Sequence, residues 1–119
     1  MSKDYEQRRL AAPDAPFPQA FWGVNQAIAV IKMSCEAAEL RWGVTFDTFL
    51  DDLGKADLVL IEPGEGSRFI LISHRQCPRP GIDIWIHKNH RNLADQLMSV
   101  LAILKLDRQE LSWTHPEIA

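Results

Sequence analysis

Hydrophobic residues between positions 24 and 42 recur at steps of three and four, the spacing of one face of a helix. Ile28, Ile31 and Cys35 lie on this stripe, and the charged residues of the segment lie largely elsewhere. Gly43 follows directly and is suited to end a helix, because glycine accepts a left-handed backbone. The pattern predicts a long amphipathic helix over these residues.

A second, shorter apolar pattern follows in residues 45–53. Phe46 and Phe49 are three residues apart and share one side of a helix with this spacing. Thr45 is a suitable N-cap, and Gly54 is a suitable stop. We expect a short helix here, with an acidic exposed side.

Three later segments are rich in β-branched and aromatic residues, which is typical of strands. They are residues 58–62, 68–74 and 82–87, and turns that contain glycine and proline separate them. Because each connection is short, consecutive strands are expected to pair with each other. The prediction is a three-stranded antiparallel meander.

Residues 93–106 are apolar on nearly every side and predict a last helix. Asn92 precedes it as an N-cap, and Asp95 occupies the third position of its first turn. The tail, residues 107–119, fits a short helical turn and an edge strand equally well. The predicted fold is α+β with the order α-α-β-β-β-α: a long N-terminal helix, a short helix, the antiparallel meander and an apolar C-terminal helix.

The N-terminal residues 1–22 are predicted to form an extended, Pro-rich arm. Pro13, Pro16 and Pro18 each lack a backbone donor and push the preceding residue toward extended geometry. The rest of the sequence shows no internal repeat and no shift of composition. Residues 23–119 are therefore predicted to form a single α+β domain.

The predicted hairpin pairs His74 with Ile82 and assigns the strand residues to two faces, both of them apolar. A sheet with one solvated face alternates apolar and polar residues, so each face here needs a cover. In a monomer, helices cover both faces. In a homodimer, a second copy of the chain covers one of them. We predict the homodimer. One face holds Leu58, Leu60, Ile70, Ile72, Ile84 and Ile86, and the other holds Val59, Ile61, Phe69, Leu71 and Trp85.

The composition is that of one globular domain. The chain has 119 residues, of which 46% are hydrophobic and 24% are charged. A chain of this length buries about 65% of its unfolded surface, so it needs neither disulfides nor a structural metal. The net charge of −3 disfavours general binding to nucleic acid. Two isolated cysteines, no secretory leader and no long apolar run lead us to expect a cytoplasmic protein without membrane association.

One segment, residues 73–90, combines histidine and cysteine with a spacing that raises the question of a metal site. His74 and Cys77 form one half-motif, and His87 and His90 form the other. In the predicted hairpin His74 and His87 lie at opposite ends, roughly 16 Å apart, whereas zinc ligands lie within about 2.0–2.3 Å of one ion. Two ligands at each end are too few, so we predict no metal and no cofactor.

The approach to the last helix is the best local site for an anion. His87, Lys88, His90 and Arg91 stand directly before the Asn92 cap. Backbone N–H groups and the helix dipole favour negative charge at such a position. The site suits a phosphate, a carboxylate of a partner protein or nucleic acid, and a solvated basic turn is the simpler alternative.

Three classes of function are compatible with these features. The first is a non-catalytic protein-binding module, such as a small regulator, a dedicated chaperone or an immunity-like inhibitor, because the sheet is apolar on both faces. The alternatives are a nucleic-acid-binding domain that uses the basic turn, and a small enzyme or anion binder centred on residues 87–91. Cys77 between Arg75 and Arg79 is the arguable nucleophile, but no catalytic residue and no enzyme are predicted. The predicted anchors for a protein partner are Phe69, Trp85, Trp22 and Trp113.

Overall fold

A computed structural model describes residues 5–8, 15–16, 24–51, 54–63, 68–74, 81–89 and 92–118. Within these ranges the chain forms eight strands and two α-helices. The strands are β1 (Tyr5–Arg8), β2 (Ala15–Pro16), β3 (Asn25–Ile31), β4 (Asp47–Asp51), β5 (Gly54–Pro63), β6 (Phe69–His74), β7 (Ile82–His87) and β8 (Leu111–Thr114). The helices are α1 (Cys35–Trp42) and α2 (Leu93–Leu104), and a 3-10 turn, Arg108–Glu110, precedes β8.

All of these strands belong to one sheet, in the order β2-β4-β5-β6-β7-β3-β8. The six strands from β4 to β8 in this order pair antiparallel, and the short β2 adds in parallel to β4. The strand β1 pairs antiparallel with the far half of β5, where Arg8 lies opposite Leu60. Part of the predicted arm therefore joins the sheet, and the rest of it lies outside the described residues.

The predicted class, α+β, agrees with this architecture, but the predicted order α-α-β-β-β-α is wrong. The observed order, without the two short N-terminal strands, is β-α-β-β-β-β-α-β. The sheet has six antiparallel strands where the prediction has a meander of three. Two strands of this sheet, β3 and β4, lie in segments whose pattern predicts helices.

The first half of the predicted long helix is the strand β3. A bulge between Ala27 and Ala29 lets Ile28 and Ala29 both reach the core, and Ile31 reaches it as well. Because of the bulge, the buried residues 28 and 31 are three positions apart, which is also the spacing of a helix face. The helix starts only after Ser34, whose side chain accepts from the backbone N–H of Ala37 at 3.2 Å.

The predicted short helix is the strand β4. It forms a hairpin with β5 in which Asp51 lies opposite Gly54 and Phe49 lies opposite Ala56. Phe49 is almost fully buried between its cross-strand neighbours. The sequence pattern predicts that the neighbouring strand begins at residue 58, whereas β4 pairs with residues 54–58 of β5. The pattern therefore does not reveal the pairing that makes residues 47–51 a strand instead of a helix.

The hairpin of β6 and β7 has a register one residue away from the predicted one. Ile70 lies opposite Trp85, and Ile72 lies opposite Asp83. A slip of one residue exchanges the faces of a whole strand. Ile84 therefore lies opposite Leu71 and shares its face, while Trp85 lies on the other face of the sheet.

Both helices pack on the same face of the sheet, which we call the helix face. Its main cluster joins strand residues such as Val59, Leu71 and Ile84 to helix residues such as Trp42 and Leu97. The indole Nε1 of Trp42 donates to the backbone oxygen of Leu104 at 2.9 Å, so the ends of α1 and α2 are tied together. This cluster is the principal core of the molecule.

The opposite side, which we call the second face, carries a smaller cluster to which neither described helix contributes. Leu58 and Ile72 are fully buried there, next to Phe49 and Ala56. The predicted apolar character of both faces is thus observed along β5 and β6. On β7, β3 and β8 the second face is less apolar than the helix face, because it also carries polar and aromatic side chains.

The last helix begins as the sequence predicts. The Asn92 side chain accepts from the backbone N–H of Asp95 at 3.1 Å. The helix ends at Leu104, and Lys105 caps it with a left-handed backbone at φ of 56°. The tail contains both of the elements that were considered for it, a 3-10 turn and the edge strand β8.

A polar clamp joins the end of α1 to the chain that follows α2. Arg41 Nη1 donates to Glu110 Oε1 at 2.7 Å, and Arg41 Nη2 donates to the backbone oxygen of Lys105 at 2.9 Å. The carboxylate of Glu110 also accepts from the backbone N–H of Asp107 at 2.8 Å. These hydrogen bonds hold the 3-10 turn before β8, and β8 then forms the edge of the sheet.

Candidate functional site

Three neighbouring strands, β7, β3 and β8, bring two tryptophans onto the second face. Val30 lies opposite Asp83 on one side and opposite Trp113 on the other, and Ala27 lies opposite Trp85. Residues that are directly opposite in a sheet point to the same face. Asp83, Trp85 and Trp113 therefore share the side of the sheet that faces away from both helices.

These side chains form a patch on the second face, which we call the Trp slot. Neighbouring strands lie about 4.8 Å apart, so β7 and β8 lie about 10 Å apart across β3. Trp113 is 43% exposed, and the other members are half-buried. Ala27 and Val30 form its floor on β3, Asp83 and Trp85 lie on β7, and Trp113 and His115 lie at β8 and just after it. Trp85 also packs against the smaller cluster of the second face.

Close packing fixes the position of the floor. A Cβ atom on Gly81 would come within 2.7 Å of Val30 Cγ1 and within 3.1 Å of the backbone oxygen of Ile31. Only glycine leaves room for Val30 at this point. The start of β7 and the floor of the slot are therefore packed against each other.

The two aromatic sides are oriented by their own neighbours. The rings of Trp113 and His115 meet edge to face, with centroids 6.3 Å apart and planes at 67°. On the other side, Trp85 Nε1 donates to Asp83 Oδ2 at 3.4 Å. Each tryptophan is thus held along its strand by a side chain two residues away.

Asp83 is the acidic group of the Trp slot. His74 Nε2 lies 3.6 Å from the same oxygen, Oδ2, that accepts from Trp85. Burial raises the pKa of Asp83, and the neighbouring His74 and the hydrogen bond from Trp85 lower it to a smaller extent. The direction of the net shift shows that the ionised carboxylate is not fully compensated by these two neighbours.

The predicted anchors for a protein partner separate in the structure. Phe69 is 1% exposed and lies in the main cluster on the helix face. Trp22 lies outside the described residues. Trp85 and Trp113, which are 28 positions apart in the chain, lie on the same face of the sheet, on strands that flank β3.

Of the predicted anion site, the structure describes His87 and Lys88, both of which are exposed. The backbone N–H of Asn89 donates to His87 Nδ1 at 3.2 Å, and the backbone N–H of Lys88 donates to the backbone oxygen of Val24 at 2.8 Å. His90 and Arg91 lie outside the described residues. The described part of the basic turn is exposed, and the anion site stays a prediction.

Cys35 is a free thiol at the start of α1. Burial raises its pKa, a hydrogen bond with Ser73 lowers it, and the nearby carboxylates of Asp57, Glu39 and Glu36 raise it again. A thiol with a raised pKa is mostly protonated at neutral pH and is a poor nucleophile. Cys77, the nucleophile considered from the sequence, lies outside the described residues.

Over the described part of the chain, no group of three or more His, Cys, Asp or Glu side chains could hold a metal ion. In the same part of the chain, neither helix combines the length and the apolar character that a membrane span requires.

Comparison with known proteins gives no match to a protein-family model, to a curated protein or to a solved structure.

Half of the Trp slot could not be found by sequence reasoning. Asp83 carries one visible signal, since it is an acidic residue inside the apolar strand segment IDIWIH. Ala27 and Val30 were assigned to a helix, and His115 was in the unassigned tail. The wrong register of β7 also placed Trp85 on the face that the helices cover.

Proposed function

We propose that this chain is a non-catalytic protein-binding module and that the Trp slot is its docking surface. The observation that carries the proposal is the convergence of Trp85 and Trp113 on the side of the sheet away from both helices. Tryptophan is enriched among the residues that dominate binding energy at protein interfaces. Trp113, which is 43% exposed, is such an anchor on this face.

Docking through side chains fits this surface better than the addition of a partner strand to β8. The strand has four residues, and its pairing with β3 shifts register between Val30 and Ile31. Short length and a bulge are features that discourage edge-to-edge pairing. The partner is therefore expected to contact the face of the sheet at the slot.

The occupant of the slot in this proposal is a protein, either a different chain or a second copy of this one, as in the predicted homodimer. The chemistry of the described thiol supports a binding role over a catalytic one, because the raised pKa of Cys35 makes it a weak nucleophile. A free cysteine in the described part of the chain also supports the predicted cytoplasmic location.

Site-specific photo-crosslinking in the source cells tests the proposal. Benzoylphenylalanine is introduced at position 113 in one variant and at position 40 in the control variant. Leu40 is 89% exposed on α1, which packs on the opposite face of the sheet, so the control reports random encounters. We expect a discrete protein adduct from position 113, identified by mass spectrometry, and none of the same mass from position 40.

An adduct of twice the chain mass from position 113 alone would identify the second copy as the occupant. No adduct from position 113, or the same set of adducts from both positions, would overturn the proposal that the Trp slot is the docking surface.

A further inference from the structure

We draw no further inference here: the strongest candidate, the apolar cluster of Phe49, Ala56, Leu58 and Ile72 on the second face, lies on the side of the sheet to which neither described helix contributes, and nothing in the described part of the chain shows what covers it.

Discussion

Asp83 shows how a single partly buried carboxylate can cost stability. Its carboxylate is 25% exposed, and burial raises its pKa. A carboxyl group whose pKa is higher in the folded than in the unfolded chain destabilises the folded state when it is ionised. The cost is fully present above the folded pKa and disappears as the pH falls toward the unfolded value of 3.8.

The variant Asp83→Asn tests this statement about stability. It removes the charge and retains an oxygen that can accept from Trp85 Nε1. We expect a higher free energy of unfolding than that of the unmodified chain at pH 7, and a difference that shrinks to zero as the pH falls below 3.8. Urea denaturation at a series of pH values measures both. A variant that is less stable at pH 7 would show that the ionised carboxylate stabilises the fold.

The contact between α1 and α2 shows how one element holds another in place. Trp42 is 4% exposed and donates to the backbone oxygen of Leu104 near the end of α2. Trp42→Phe removes the donor and leaves a buried acceptor unpaired, which costs about 1–3 kcal/mol. We expect the free energy of unfolding to fall by about 2 kcal/mol in urea denaturation followed by circular dichroism.

The matched control is Trp113→Phe, which makes the same chemical change at a 43% exposed position on β8. Its effect on the free energy of unfolding should stay within about 0.5 kcal/mol. A similar loss in the two variants would mean that the hydrogen bond from Trp42 does not stabilise the joint between the helices.

Elements with strong local signals were predictable, and elements that depend on distant partners were not. The helix α2 has an Asn92 cap and an apolar pattern of its own, and it appears where these signals place it. The strands β3 and β4 need β7, β8 and β5 beside them before a strand is the better conformation. Strand propensity depends on such neighbours more than helix propensity does.

At the scale of the whole molecule, the Trp slot was out of reach of the sequence because three distant segments form it. Its residues come from positions 27–30, 83–85 and 113–115, and the sheet order alone makes them neighbours. Two of its members, Trp85 and Trp113, were predicted as anchors from residue type. Their common location required the register of β7 and the existence of β3 and β8.

In the proposed function, the two faces of the sheet have separate roles. The helix face contains the main cluster and both helices, and the clamp from Arg41 to Glu110 secures the return of the chain to the edge. The Trp slot lies on the second face at the end of the sheet where β8 is the edge strand. In this account, substitutions on the helix face change stability, and substitutions in the slot change binding.

The affinity of the crosslinked partner for three forms of the chain tests this account most directly. Isothermal titration calorimetry compares the unmodified chain with Trp113→Ala and with Leu40→Ala, the exposed control on α1. We expect a loss of at least tenfold, about 1.4 kcal/mol or more, for Trp113→Ala and a change within about twofold for Leu40→Ala. An unchanged affinity of Trp113→Ala, in a variant whose unfolding is normal, would contradict the claim that the Trp slot is the docking surface.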